Sequence, residues 1–203
     1  MKNPVPRLVV AACALMSVAA TSSRATDTVV DQARVDAARV ASTALGSALL
    51  TELKAAFETG GPIAAIQVCN QKAPEIASGI SQKQNMQVGR TSLKVRNPSN
   101  TADAWEKVVL ENFAKRKAAG EDPAKIEHYA VAGNELRYMK AIAIPANASC
   151  LACHGESLDP AVRAKLKELY PSDQATGYRA GDLRGAFTVR QRLDNRPKSL
   201  PGS

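Results

Sequence analysis

The sequence predicts an α+β fold in which long N-terminal helices precede an antiparallel sheet. Residues 27–59 repeat apolar positions at helical spacing, whereas residues 127–132 and 135–144 have the character of strands. Between the two strands stands Gly133-Asn134, a dipeptide typical of two-residue hairpin turns. A hairpin pairs its strands antiparallel, so helices and an antiparallel sheet are both expected.

The first 25 residues have the composition of a secretory signal peptide. Lys2 and Arg7 precede an uncharged apolar run over residues 8–20, and residues 23–25 fit a small-x-small cleavage site. The run is shorter than the roughly 20 residues that a membrane span needs. Cys13 lies in a lipoprotein-like box, but too few apolar residues precede it for lipidation. We therefore expect cleavage, a periplasmic location and no membrane span in the mature protein.

The mature chain has the length of one domain and a mildly basic charge. Cleavage after residue 25 removes three basic residues and no acidic ones, which leaves 24 basic against 19 acidic, or about +5. The chain has no block of Lys and Arg and few aromatic residues, so we expect no nucleic-acid partner. Residues 26–191 are expected to form a single domain, followed by a polar, flexible tail over 192–203.

The N-terminal part of the mature chain predicts two consecutive helices. The first covers 27–59 and is expected to stop at Gly60-Gly61. Pro62 suits the first turn of the second helix, whose apolar stripe includes Cys69. Pro74 is expected to end or kink that helix.

The middle of the chain predicts a strand and a third helix. Residues 86–96 have a looser pattern typical of strand and loop, closed by Asn97-Pro98. The third helix begins near Thr101 or Asp103, either of which can cap it, and ends at Gly120. Its buried face is expected to carry Trp105, Val109 and Phe113.

The remaining elements follow the hairpin. The strand over 135–144 is expected to turn Leu136, Tyr138, Ile142 and Ile144 to one face, with Lys140 as the exception. After Pro145 a short loop brings in Cys150, and Asp159-Pro160 begins a fourth helix. Residues 183–190 predict a last strand.

Cys150-Leu151-Ala152-Cys153-His154 matches the attachment pattern of c-type haem. The two thiols add to the vinyl groups of the porphyrin, and the adjacent histidine becomes the proximal ligand of the iron. Export agrees with this interpretation, because haem c is assembled outside the cytoplasm. The motif therefore predicts one covalent haem on Cys150 and Cys153, with iron bound by His154.

Three other interpretations of the cysteine pair are weaker. A structural disulfide is one of them. A redox-active pair normally follows an early strand of a βαβ unit, whereas this pair lies late, after a hairpin. A zinc site needs a second pair of ligands at suitable spacing, which is missing.

The second axial ligand has four candidates in the mature chain: Cys69, His128, Met86 and Met139. Small cytochromes c carry the motif early and a methionine later, but here no methionine follows the motif. Cys69 is left over as an odd thiol in an oxidising compartment. The residues alone leave open whether it binds iron or is an inert core cysteine.

Several motifs resemble a family of secreted c-type haem proteins with a PAS-like fold, found alone and as sensor domains of bacterial signalling proteins. The matches run from residue 68 to about 189. They are Val68-Cys69-Asn70, residues 88–92, Arg96-Asn97-Pro98, residues 103–106, the attachment motif, residues 170–173, Gly177-Tyr178 and residues 181–185.

The resemblance implies a PAS-like sheet and a cysteine–histidine ligand pair, as described for a cyanobacterial member, with the cysteine at the position of Cys69. A thiolate ligand favours ferric iron, so a low potential is expected. Arg90 and Arg96 are candidates to pair with the haem propionates. A solvated strand face is the alternative for these two arginines.

Two functions remain open at this point. Displacement of Cys69 on reduction would suit redox or gas sensing, whereas fixed ligation would suit simple electron transfer with a separate partner protein. An enzyme is not expected, since no acid–base pair is visible. A four-helix cytochrome, the alternative fold, also carries its motif late, but it has no place for the predicted hairpin.

Overall fold

A computed structural model describes residues 31–146 and 148–193, so the predicted signal peptide, residues 27–30 and residues 194–203 lie outside the described part. The α+β class is confirmed, and the four-helix alternative is excluded by a four-stranded antiparallel sheet. No helix within the described ranges has an apolar stretch able to cross a membrane. The elements are α1 (Gln32–Gln84), β1 (Gln87–Thr91), α2 (Ala104–Ala118), β2 (Glu127–Ala132), β3 (Glu135–Ala143), α3 (Ala148–His154), α4 (Pro160–Leu169) and β4 (Leu183–Arg192), with 3₁₀ turns at Pro98–Asn100 and Pro123–Lys125.

Helix α1 contains both predicted N-terminal helices, joined across a kink. Asp31 caps its first turn, and Gly60 and Gly61 have non-helical dihedral angles, with φ of 61° at Gly61. The predicted break at the two glycines is therefore confirmed. Of the two outcomes expected at Pro74, an end or a kink, the end is wrong, because the helix continues to the left-handed Asn85. One lost hydrogen bond is offset there by packing of the helix on its neighbours.

The sheet has the order β1-β4-β3-β2, with every neighbouring pair antiparallel. The predicted hairpin is confirmed, and Gly133 has the positive φ of 62° that its turn requires. Strand β4 ends at Arg192, two residues later than expected. On β3, Leu136 and Tyr138 are buried in a cluster that α1 shares.

The other face of the sheet is covered by α2, so β3 is buried on both faces rather than one. Met139 belongs to a second apolar cluster with Val109 and Phe113 of α2. Asp103 and Glu106 form a capping box at the start of α2, which confirms one of the two predicted caps. The sheet therefore separates an α1 side from an α2 side.

The predicted attachment motif lies on the seven-residue helix α3, which begins at Ala148, within the loop expected before Cys150. Helix α4 follows as predicted, capped by Asp159. Val162 and Leu166 of α4 pack in one cluster with Ile66 of α1 and with Cys153. This packing holds the second half of α1 beside the motif.

Candidate haem site

A cavity of about 1300 Å³, counted with its mouth, opens on the α1 side of the sheet. Both halves of α1, the β1 and β4 strands, α3 and the end of α4 contribute to its wall. The apolar part of the wall includes Leu49, Leu53, Phe57, Ile66 and Phe187.

Cys150 and Cys153 of the predicted attachment motif both line this cavity. No disulfide joins any of the cysteines in the described part of the chain. Burial raises the pKa of the Cys153 thiol to about 11, so this side chain is a neutral thiol before it reacts. A zinc site gains no support, since the described residues contain no group of three or more His, Cys, Asp or Glu side chains that could hold a metal.

His154 is oriented by contacts that leave one ring nitrogen for iron. Its Nδ1 lies 2.7 Å from the carbonyl oxygen of Ala175, which can only accept, so Nδ1 carries the hydrogen. The backbone N–H of Tyr178 donates to the carbonyl of His154 at 2.9 Å, and the two rings meet edge to face at 6.3 Å. Burial, with Arg96 and Arg184 nearby, lowers the pKa of His154 to about 3. The imidazole is therefore neutral at pH 7, with Nε2 available as a ligand.

Cys69 lines the same cavity from the second half of α1. Burial raises the pKa of its thiol, and the charges of Arg90 and Arg96 oppose that shift. Cys69 alone among the four candidates for the second ligand, all of which are described, borders the cavity.

The other three candidates lie elsewhere. His128 and Met139 are paired across β2 and β3 and therefore share the α2 side of the sheet, where the His128 ring stands 5.7 Å from Trp105. Met86 is buried in the cluster between α1 and the sheet. Position in the fold thus favours Cys69 over all three.

Arg90 and Arg96, the predicted propionate partners, both line the cavity, but their surroundings differ. The guanidinium of Arg96 forms an ion pair with Asp173 at 3.0 Å and donates to the carbonyl of Cys153 at 2.6 Å. Arg90 has no ion pair among the described residues, and burial lowers its pKa. A third arginine, Arg184, also lines the cavity.

Sequence reasoning included Arg184 in the matching segment 181–185 but gave it no role. Its Nη1 donates to Ser92 Oγ at 2.9 Å and to the carbonyl of Lys94 at 3.0 Å. The signal available in the sequence was the position of this arginine in a segment that resembles the family. The donor types at this site, a neutral imidazole beside two thiols and a third thiol in one apolar cavity, fit a c-type haem.

Comparisons with known proteins agree with this chemistry. The family model described as Tll0287-like matches residues 12–192. Among solved structures, the crystal structure of the cyanobacterial haem protein Tll0287 is similar, with a TM-score of 0.59 and 27% sequence identity over 81% of this chain and 96% of that one. No curated protein sequence matches the chain.

Proposed function

The chain belongs to the Tll0287-like family, and from this premise we propose that it carries a single haem bonded covalently to Cys150 and Cys153. The solved relative is a haem protein, which supports haem binding. Covalent attachment is supported by the position of both thiols on α3, facing one apolar cavity. Gly155 then closes α3 tightly, with its N–H donating to the carbonyl of Leu151 at 2.8 Å.

We propose that His154 and Cys69 would hold the iron. The observation that carries this proposal is the hydrogen bond from His154 Nδ1 to Ala175, within a cavity that Cys69 also lines. Such a bond fixes the tautomer and the ring direction of a metal-binding histidine. Thiolate is an established haem ligand, and the nearby Arg90 and Arg96 favour the anionic form of Cys69.

Redox or gas sensing is the function that we propose for this site. When bound, haem supplies one-electron redox chemistry and, at an open axial position, a binding site for small gases such as CO or NO. Cys69 is the ligand that can leave, because protonation weakens its bond to reduced iron. Cys69 lies on α1, whose first half packs on the sheet beyond the Gly60-Gly61 kink, so α1 is the element that could transmit the change.

Simple electron transfer with permanent His154 and Cys69 ligation is the second candidate function. Ile66, on the same part of α1 as Cys69, packs in one cluster with Cys153 and α4, and this packing favours the alternative because it resists movement of the helix that carries the ligand. In either case we propose a low-potential, non-enzymatic protein of the periplasm, exported by residues 1–25, that acts with a separate redox or signalling partner. A PAS-like assignment is supported by the four-stranded antiparallel sheet with helices on both faces.

Absorption spectroscopy of the matured protein tests these proposals together. The ferric protein is expected to be low-spin with thiolate charge-transfer bands, and the dithionite-reduced protein to bind CO if Cys69 leaves. A reduced protein that stays six-coordinate and does not bind CO would contradict the sensing proposal and favour electron transfer. Met139→Leu changes a ligand candidate that lies away from the cavity, so it should leave every spectrum unchanged.

Covalent attachment is tested separately. Acid–acetone extraction should leave the haem on the protein, and the tryptic peptide that contains Cys150 and Cys153 should gain the mass of haem. Extraction of all the haem into the organic phase would contradict the attachment proposal while leaving haem binding intact.

A further inference from the structure

The cavity carries two positive charges that no described side chain compensates. Four side chains that are charged at pH 7 line it: Glu52, Arg90, Arg96 and Arg184. Glu52 pairs with Lys72 at 2.8 Å, and Arg96 pairs with Asp173. Arg90 and Arg184 have no carboxylate within salt-bridge distance in the described part of the chain. Removing such charges from water without a counter-charge is costly, so the two guanidinium groups indicate an anionic ligand with two negative charges.

The charge of the proposed cofactor matches this excess. A ferric ion, the dianionic porphyrin ring and one thiolate sum to zero, which leaves the two propionates as the net charge of the group. Arginine is well suited to carboxylates because its planar fork can make two parallel hydrogen bonds. One guanidinium group is thus available for each propionate.

A β-bulge directs Arg184 toward the cavity. Ile142 of β3 pairs with Gly185, whereas the next residue, Ala143, pairs with Leu183, so Arg184 is the extra residue in β4. A bulge re-aims the side chain of its extra residue, and bulges are frequent beside functional sites. The backbone carbonyl of Arg184 accepts a hydrogen bond from Ser92 Oγ at 2.8 Å.

The bulge also leaves the guanidinium of Arg184 partly available. Both hydrogen bonds that it makes to described residues use Nη1, which anchors the side chain on Ser92 and Lys94. The Nε and Nη2 groups of Arg184 remain available to bind a carboxylate. Arg90 lies on the neighbouring strand opposite Phe187, three residues from Arg184, or on the order of 10 Å along the strand. Two flexible propionate arms on adjacent pyrrole rings can reach groups at that separation.

Arg96 has a different role according to its contacts. Its Nε donates to Asp173 Oδ2, its Nη2 lies 3.0 Å from the same oxygen, and Nη2 donates to the carbonyls of Cys153 and Ala175. Only about 10% of its side chain is exposed. Its Nε and Nη2 groups are committed to the segment that holds His154, and its charge is already compensated by Asp173.

We propose that Arg90 and Arg184 each bind one haem propionate, and that Arg96 is instead a positioning residue for the attachment helix. This inference rests on the proposed function, since it assumes that the cavity holds haem. It replaces Arg96 by Arg184 in the expected propionate pair.

Infrared spectroscopy of haem-loaded protein with ¹³C-labelled propionate carboxyls tests the assignment. The label is introduced by growth on carboxyl-labelled 5-aminolevulinate, and haem content is measured in parallel as the alkaline pyridine complex. Arg90→Gln and Arg184→Gln are each expected to shift one labelled carboxylate band toward the position of a solvated carboxylate. Arg184→Lys, which retains the charge but loses the fork, should give a smaller shift of the same band.

Two controls separate pairing from general disturbance. Arg179→Gln removes an exposed arginine that pairs with Glu156 outside the cavity and should shift neither band. Arg96→Gln loosens the segment that holds His154, so it is expected to lower the haem content and alter the Soret band, while the labelled carboxylates of the haem that remains keep both wild-type positions. The absence of a shift in either Arg90→Gln or Arg184→Gln, or a shift caused by Arg96→Gln, would overturn the assignment. Wild-type protein without haem would instead refute the proposed function, and this inference with it.

Discussion

Asp173→Asn tests whether the ion pair with Arg96 supports the proximal side of the site. The carboxylate meets the guanidinium at 3.0 and 3.1 Å, and the exposed fractions of the two side chains are 10% for Arg96 and 9% for Asp173. Asp173 Oδ1 also accepts the backbone N–H of Ala175 at 2.8 Å, a contact that asparagine can retain. The substitution therefore removes the charge while preserving the size and the turn.

The expected cost follows from burial. Leaving one member of a buried pair without its counter-charge typically costs about 3–5 kcal/mol. For a domain of this length, 1 kcal/mol corresponds to roughly 2–4 °C, so the melting temperature should fall by about 6–20 °C. Because the carbonyl of Ala175 accepts the hydrogen bond from His154 Nδ1, the orientation of the His154 ring should also be less fixed in the variant.

The assay is thermal unfolding of haem-loaded protein, followed by circular dichroism and by the Soret band. Glu156→Gln is the matched control, because it removes the same kind of charge from the exposed pair with Arg179 and should leave the melting temperature unchanged. The double variant with Arg96→Met should recover part of the loss, since no guanidinium is then left unpaired. A melting temperature for Asp173→Asn equal to that of Glu156→Gln would refute the supporting role of the pair.

Two further predictions concern the attachment helix and the acid range. Gly155→Ala would bring a Cβ to 2.5 Å from a backbone carbonyl oxygen one turn earlier, so haem attachment, measured as the pyridine complex, should fall sharply. Gly79→Ala, where a Cβ meets nothing within 4 Å, should leave attachment normal, and equal yields would contradict the steric argument. The hydrogen bond from Arg39 holds the pKa of Glu127 below its ordinary 4.5 in the folded protein. The ionised carboxylate therefore stabilises the fold above pH 4.5, and this contribution is lost as the pH falls through the lower pKa of the folded state. Glu127→Gln should therefore lower the free energy of unfolding at pH 7, and this free energy should fall less steeply with acidification than in the wild type. Urea titrations at several pH values measure both quantities. Parallel pH profiles for the two proteins would contradict this prediction.

Elements defined by local chemistry could be predicted from the sequence. The hairpin depends on Gly133-Asn134, and the start of α2 depends on Asp103 with Glu106 three residues later. Both signals act within a few residues, so no tertiary information is needed. The predicted attachment motif is equally local, and the structure places both of its cysteines on the wall of the cavity.

Features that depend on packing could not be predicted in this way. A proline such as Pro74 normally ends a helix, yet α1 continues because Ala73 is buried and Ile76, Ala77 and Ile80 pack against the core. Helix α3 is too short to give a periodic pattern. Arg184 acquires its position through a bulge whose register is set by β3, a strand distant from it in the chain.

Cys69 lies between these two cases. Its spacing on a helix is equally consistent with an inert core cysteine, and only the resemblance to a haem family favoured it as a ligand. The structure adds its position in the cavity, which His128, Met86 and Met139 do not share. Ligand choice is thus a property of the fold rather than of the residue type.

Electron paramagnetic resonance of the ferric protein, compared between the wild type and Cys69→Ala, tests the His154–Cys69 ligand pair most directly. The wild type should give the narrow low-spin signal of thiolate-ligated haem, and Cys69→Ala should replace it with a high-spin signal or a different low-spin one while the haem stays attached. The same spectrum in both proteins would contradict ligation of the iron by Cys69, and with it the proposed sensing by displacement of that thiolate.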